Sequence, residues 1–419
     1  MRRLTVKNFS VIDEAVLDIA GINVIIGPQS SGKSLLCRFA YFCLNIVSSA
    51  VVSASDELPF DQFKQEIKNT FLHEWFPVKT WGHKKFEIRY EDGPFFVSIV
   101  RTSREDHACD NIKLTLCSEF RSTYESALKS IRDIREQSMK KKVGIEGAKP
   151  WEARAIASKR FAEVLGAGRI FEQLYIPAGR ALFTNYSKAI RAFRVGSLDP
   201  ITAEFGQMAE WLFSDRVYIR DRDRNHVKAF DEIQDTILKG RLSSKKDTVQ
   251  FETSDGRTLS LEQLSSGEQE ALPLLRSLRL ALSGPDGLTV FAEEPEAHLF
   301  PSSQYEIVKL LCWLSNARAQ RVCIVVTTHS PYILSAFNNL IFAGQLGQDK
   351  LLKKKIKIDE RFWIEPGFFK AYSIHDGKSE PILSETGLIN GEYLDGVSDK
   401  IGSEFDELMR LEYEQKKAS

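Results

Sequence analysis

Apolar and polar positions alternate along the first twenty residues. Leu4, Val6 and Phe9, then Ala15, Leu17 and Ile19, follow a two-residue repeat, which predicts two strands joined by a turn. The unbroken apolar run from Ile22 to Ile26 predicts a buried strand, followed by a Gly-rich loop and a helix from about Gly32. Three further strand patterns lie within 85–117: FEIRY, FFVSIVR and IKLTL. From 120 to 165 the pattern turns charged and helical, with a Gly-Ala-Lys-Pro break, and reads as an inserted helical hairpin or lid. A solvated two-helix cap explains its charge more cheaply than a DNA-binding face. A short strand at Leu174 to Ile176 leads into the loop PAGR, and helical patterns continue to about 240. TVQFE and RTLSLE then flank a turn at Ser254-Asp255-Gly256 and predict a hairpin. Beyond 264 helices alternate with the apolar strands LTVFA and VCIVVT, the pattern of a mainly parallel sheet covered on both faces. The last segment holds FFKAYSI and SEPILS around an Asp376-Gly377 turn, then a helix over roughly 390–415. These patterns divide the chain into an N-terminal lobe (1–119), a helical insertion (120–240), a C-terminal lobe (241–360) and a hairpin with a closing helix (361–419).

Composition changes this picture little. The 419 residues carry 57 Lys+Arg against 57 Asp+Glu, so the balance offers no support for a polyanionic partner, although a local basic face is compatible with it. None of the six cysteines forms a Cys-x-x-Cys pair, and Cys37, Cys312 and Cys323 lie in apolar runs as small core residues. A reduced, cytoplasmic protein without a metal framework is expected. The first twenty residues do not read as a signal peptide, and no run is expected to approach the roughly 18 apolar residues of a membrane span.

Four short segments carry chemistry. Gly27-Pro28-Gln29-Ser30-Ser31-Gly32-Lys33-Ser34 fits G-x-x-x-x-G-K-S between a predicted strand and a helix, the context in which backbone N–H groups cradle a phosphate. Lys33 is placed to reach the outer phosphates of a nucleotide, and Ser34 to ligate Mg²⁺. Strand LTVFA ends in Glu293 and Glu294, at the sheet edge where open α/β sheets bind ligands. There Glu293 would hold the metal and Glu294 would polarise a water, whereas in isolation the pair would read as a solvated strand end. His329 ends the next buried strand, placed to contact the γ-phosphate or order the water. Ser265, Ser266 and Gly267 begin a helix, as a phosphate receptor or as a plain N-cap.

In this order the segments resemble the Walker A, signature, Walker B and switch-histidine motifs of ABC ATPases. EEPEAHLFP followed by TTHSPYIL is similar to the soluble branch that contains RecF, SMC and OLD-type proteins, and most similar to AAA-family ATPases of bacterial anti-phage systems, such as those of PARIS. The resemblance implies an α/β fold of the ABC-head type, a mixed sheet with a P-loop core plus an antiparallel β lobe, with the helical lid inserted. It implies ATP and Mg²⁺ as cofactors and a homo-oligomer in which Ser265 and Gly267 of one copy meet the phosphate held by Lys33 of another. Glu293 stands where Asp is usual and Glu268 where transporters have Gln; the first departure suggests slow turnover. Gln173 is a candidate for the lobe-connecting glutamine, and Arg180 for a conformational or phosphate contact, with a surface salt bridge as its alternative.

Only 90 residues follow His329 (419 minus 329), and Asp395, Asp399, Glu404 and Asp406 read as a solvated helix face, so no Toprim nuclease is expected in this chain. The resemblance therefore implies a sensor or scaffold that holds or releases a separately encoded effector, a Toprim-type nuclease, when a phage-encoded trigger appears. The alternative is a RecF-like repair ATPase that binds DNA, for which Lys140-Lys141-Lys142 and Lys353-Lys354-Lys355 are the hints. No membrane partner is expected.

Overall fold

The computed structural model describes residues 2–103, 111–140, 150–166, 172–186, 198–213, 224–245, 248–283, 288–317, 322–393 and 403–410. Cys109, Lys141, Lys142, Asp395 and Asp399 lie outside them. The strands are β1 (Arg2–Phe9), β2 (Ile12–Ile19), β3 (Ile22–Ile26), β4 (Glu87–Asp92), β5 (Phe95–Arg101), β6 (Ile112–Leu116), β7 (Gln173–Ile176), β8 (Gly240–Lys245), β9 (Thr248–Thr253), β10 (Thr258–Leu259), β11 (Thr289–Glu293), β12 (Cys323–Thr328), β13 (Phe369–His375) and β14 (Lys378–Pro381). The helices are α1 (Lys33–Ser55), α2 (Phe60–Thr70), α3 (Ser118–Lys140), α4 (Pro150–Leu165), α5 (Ala181–Tyr186), α6 (Pro200–Leu212), α7 (Arg224–Leu238), α8 (Ser266–Ser283), α9 (Pro301–Asn316), α10 (Pro331–Leu346) and α11 (Lys350–Lys353).

Eleven strands join in one sheet, in the order β6-β5-β4-β1-β2-β14-β13-β3-β12-β11-β7. The end formed by β6, β5, β4, β1 and β2 is antiparallel, whereas β13, β3, β12, β11 and β7 run parallel. The expected mixed α/β architecture, a parallel core with an antiparallel lobe, is thus present. β8, β9 and β10 form a separate three-stranded sheet.

The parallel strands are largely apolar because both faces are covered, and alternate residues feed two different cores. Ile25, Phe291, Val325 and Tyr175 join α1, α3 and α4 in one cluster. Val24, Val290, Val326 and Leu174 join α7, α8, α9 and α10 in the other. This alternation sets where the polar strand ends point: Glu293 follows Phe291 toward the α1 face, and Thr328 follows Val326 toward the opposite one.

One sequence expectation changes. Helix α1 is long and apolar enough to cross a membrane, contrary to the expectation that no run would be. In the fold it is a core helix, with Leu36, Phe39, Ala40, Cys43, Ile46 and Ala50 packed inside the protein. Helices α3 and α4, expected as a helical hairpin or lid, pack on each other and on α1: Phe120, Tyr124, Ala127 and Ile131 of one and Ala153, Ala157 and Phe161 of the other are buried there. Their charges occupy the outer face and hide an apolar stripe of helical period. The C-terminal hairpin joins the main sheet. β13 pairs in parallel with β3, and β14 with β2, because Phe369, Ala371, Tyr372 and Ile374 are buried and need neighbours.

Candidate functional site

Strand β3 delivers the chain into a turn that closes on its own lysine. Ser30 and Gly32 adopt left-handed backbone, φ 59° and 100°, and Gly32 caps α1. Gly27 has no room for a side chain, since a Cβ would lie 2.4 Å from the Ile374 carbonyl oxygen of β13. Pro28, Gln29 and Ser30 are exposed, Ser31 and Ser34 half-buried and Lys33 buried. The Lys33 ammonium donates to the carbonyls of Gly27 (2.8 Å) and Pro28 (2.7 Å). Burial lowers its pKa below the ordinary lysine value, opposed by the charges of Glu294, Glu296 and Glu293.

Glu293, Glu294 and His329 reach the same sheet edge, because β11, β12 and β3 are parallel neighbours and end together. Glu293 is buried; Oε1 accepts from the Tyr175 hydroxyl (2.7 Å) and Oε2 from the Ala178 N–H (3.3 Å). Glu294 leaves the strand at φ 41° and places Oε1 3.3 Å from His329 Nε2, both side chains partly exposed. Thr327 lies beside Glu293 in register, and its hydroxyl is buried without a hydrogen-bond partner among the described residues, as is that of Ser31. Two unpaired buried hydroxyls and a lysine satisfied only by loop carbonyls fit a site built for an anion with an associated cation.

Helix α8 starts at Ser266 with Ser265 before it. The Ser265 N–H and hydroxyl both donate to Glu268 Oε2, and the Glu268 N–H returns to Ser265 Oγ, so Glu268 serves here as the partner in a capping box. Gly267 rests on the turn after the acid pair, where a Cβ would lie 2.7 Å from the His298 carbonyl oxygen. None of these contacts reaches the 27–34 loop.

The fold also places the two remaining candidates. Gln173 opens β7 opposite Thr289, at the other end of the strand from the site, and so is no lobe-connecting contact to it. Arg180 has no exposed surface and bonds main-chain carbonyls, so of its expected roles the conformational contact fits, and a surface salt bridge or, in this conformation, a phosphate contact does not. Glu296, Tyr175, Thr327 and Glu270 were not singled out from the sequence. Glu296 is buried, and its Oε1 accepts from the Thr328 hydroxyl (2.5 Å) and the His329 N–H (3.0 Å), which fixes the histidine's backbone. Its signal was present as the third acid of EEPEAH, one turn beyond the pair.

Residues 155–335 match the family model described as "AAA domain, putative AbiEii toxin, Type IV TA system". The match spans less than half of the chain; it contains Ser265–Gly267, the acid pair and His329 and begins after the 27–34 loop. A search of curated proteins finds no match. Among solved structures, the SMC head domain from Thermotoga maritima is similar at 12% identity and a TM-score of 0.38, over 91% of this chain and 98% of that one. An Smc head domain with an extended coiled coil, bound to the C-terminal domain of ScpA from Pyrococcus furiosus, is similar at 13% identity and 0.38, over 96% and 100%. Likenesses this remote do not bear on activity or partners.

Proposed function

We propose that the protein is an ATP-binding and hydrolysing switch that homo-oligomerises and controls a separately encoded effector. The observation that carries this reading is the meeting of Lys33, Glu293, Glu294 and His329 at one edge of the parallel strands. Bound ATP with Mg²⁺ would supply the phosphoryl group that water attacks. The N–H groups at the start of α1 and the Lys33 ammonium would hold the phosphates once the ammonium exchanges its two loop carbonyls for them. Ser34 and Glu293 would hold the metal. Glu294 would take the proton of the attacking water, and His329, 3.3 Å from it, would keep that carboxylate oriented. Glu293 is held by Tyr175, and its longer side chain in place of aspartate suits slow turnover.

The contacts of Ser265 and Gly267 run to Glu268 and the His298 turn and not to the chain's own phosphate loop, which supports a role in completing the site of a second copy. The toxin–antitoxin wording of the matched family, together with the motif resemblance, supports an anti-phage role with a Toprim-type nuclease as effector and a phage product as trigger. A soluble cytoplasmic protein is part of this reading.

The test is direct. Lys33→Ala is expected to abolish ATP hydrolysis, and Glu294→Gln to accumulate an ATP-dependent oligomer on size-exclusion with mass measurement. Unchanged turnover in Lys33→Ala would refute the phosphate site. A Glu294→Gln protein that stays monomeric with ATP would refute the shared one. Co-expression with the neighbouring gene tests the effector, and salt-dependent DNA affinity in its place would favour the repair reading.

A further inference from the structure

Among the described residues, Arg180 is the one charged side chain with no exposed surface. A buried cation is ordinarily matched to a carboxylate. The Arg180 guanidinium spends its donors mostly on main-chain carbonyls: Nη1 on Pro177 (2.9 Å) and Glu293 (2.7 Å), Nη2 on Glu294 (2.9 Å) and Nε on Glu270 (3.0 Å). Its carboxylate partner is Glu270, 3.5 Å away on α8. Glu270 in turn accepts the N–H groups of Arg180 (2.9 Å) and Ala181 (3.1 Å).

The two ends of this clamp are not arbitrary. One end grips the carbonyls of both site carboxylates where the chain passes through the left-handed φ of Glu294. The other end is three residues beyond Gly267, in the first turns of α8. That helix start is itself pinned to α5, since the Thr184 hydroxyl donates to the Gln269 carbonyl (2.7 Å) and the Asn185 amide to the Gln269 side chain (3.1 Å). Gly267 against the His298 carbonyl is a second bridge between the same two segments. Any displacement of the Ser265–Gly267 end therefore pulls on the acid turn, because close-packed, hydrogen-bonded elements move together.

We propose that Arg180 is a positioning residue that transmits the placement of the Ser265–Gly267 end of α8 to the Glu293–Glu294 turn, so that engagement of that end by a second copy sets the carboxylates for hydrolysis. This rests on the ATPase reading. It assigns the dependence of hydrolysis on the second copy to one side chain within each copy, acting through the backbone of the acid pair.

The experiment uses the full chain and compares wild type, Arg180→Lys, Ser265→Ala and the double variant. Affinity for a non-hydrolysable ATP analogue and kcat are measured for each. Lysine cannot span four carbonyls from a planar fork. Affinity in Arg180→Lys is expected to stay within about threefold while kcat falls about 10²-fold, the scale of a misplacement near 1 Å. Ser265→Ala is expected to lower kcat in the wild type, both by losing its contact with the second copy's phosphate and through Arg180, and to cost clearly less in Arg180→Lys, where only the first of these is left to lose. Losses that multiply, an affinity that falls in step with kcat, or a wild-type kcat in Arg180→Lys would overturn the proposal. Should Arg180→Lys not fold, Glu270→Gln takes its place under the same criteria, because it keeps the side-chain shape and one accepting oxygen. A wild-type protein that binds ATP and hydrolyses none would reject the ATPase reading itself, an outcome separate from all of these.

Discussion

Glu296 holds a carboxylate in the interior with only half of its accepting capacity met. Oε1 takes two hydrogen bonds, while Oε2 is buried without a partner among the described residues. Burial pushes its pKa above the ordinary carboxylate value, against the pull of the Thr328 hydroxyl, with Glu294 adding to the rise. The folded state therefore binds this proton more tightly than the unfolded chain. Its stabilising contribution is complete below the ordinary carboxylate pKa and is lost as pH rises through the folded value. In the nucleotide-free protein, Glu296→Gln is expected to raise stability at pH 8 by on the order of 1 kcal/mol and to change it little at about pH 4, below the ordinary carboxylate value, since the amide carries no charge to desolvate. Urea unfolding at the two pH values checks this, and equal destabilisation at both would contradict it.

At the scale of elements, the start of α8 sits so close to the turn after the acid pair that size decides the outcome. Replacing a glycine within a helix by alanine ordinarily stabilises by about 0.5–1 kcal/mol. At Gly267 the new Cβ meets a backbone carbonyl at 2.7 Å, and such overpacking costs about 1–3 kcal/mol. Gly267→Ala is therefore expected to destabilise the protein, seen as a lowered urea midpoint; a raised midpoint would show that the turn can give way. Elements such as β3, and the 27–34 loop, were legible in the sequence because their signals are contiguous: an apolar run, then glycines and a lysine at fixed spacing. The acid pair and His329 were legible because each ends an apolar strand. The clamp made by Arg180 was not, since a buried arginine and a surface one look alike until the carbonyls around it are placed. The packing of α3 and α4 was obscured for a related reason: their many charges outnumber the buried Phe120, Tyr124, Ile131 and Phe161 that set their position.

Across the whole molecule, the parallel core is assembled from segments far apart in the chain. β3 lies between β13 and β12, and its loop is walled by the Ile374 carbonyl. No local pattern announces such a pairing, which is why the sequence showed the C-terminal hairpin but not its neighbours in the sheet. A chain truncated after Gly367 loses β13 and β14 and leaves one side of β3 unpaired. It is expected to lose cooperative unfolding and to bind a hydrophobic dye. A truncated chain with an unchanged, cooperative urea transition would show that the hairpin is dispensable.

The position of β3 also bears on how the protein is made. From Ile26 to Phe369 the ribosome must add 343 residues (369 minus 26) before the second neighbour of β3 exists. At about 5–20 residues per second this takes roughly 17–70 s. Throughout that interval a nascent Ile-Asn-Val-Ile-Ile segment has an open edge, the kind of surface that chaperones bind and that aggregates when they do not. The phosphate loop therefore gains its last wall only once Ile374 has been made, so nascent chains shorter than this lack the completed site.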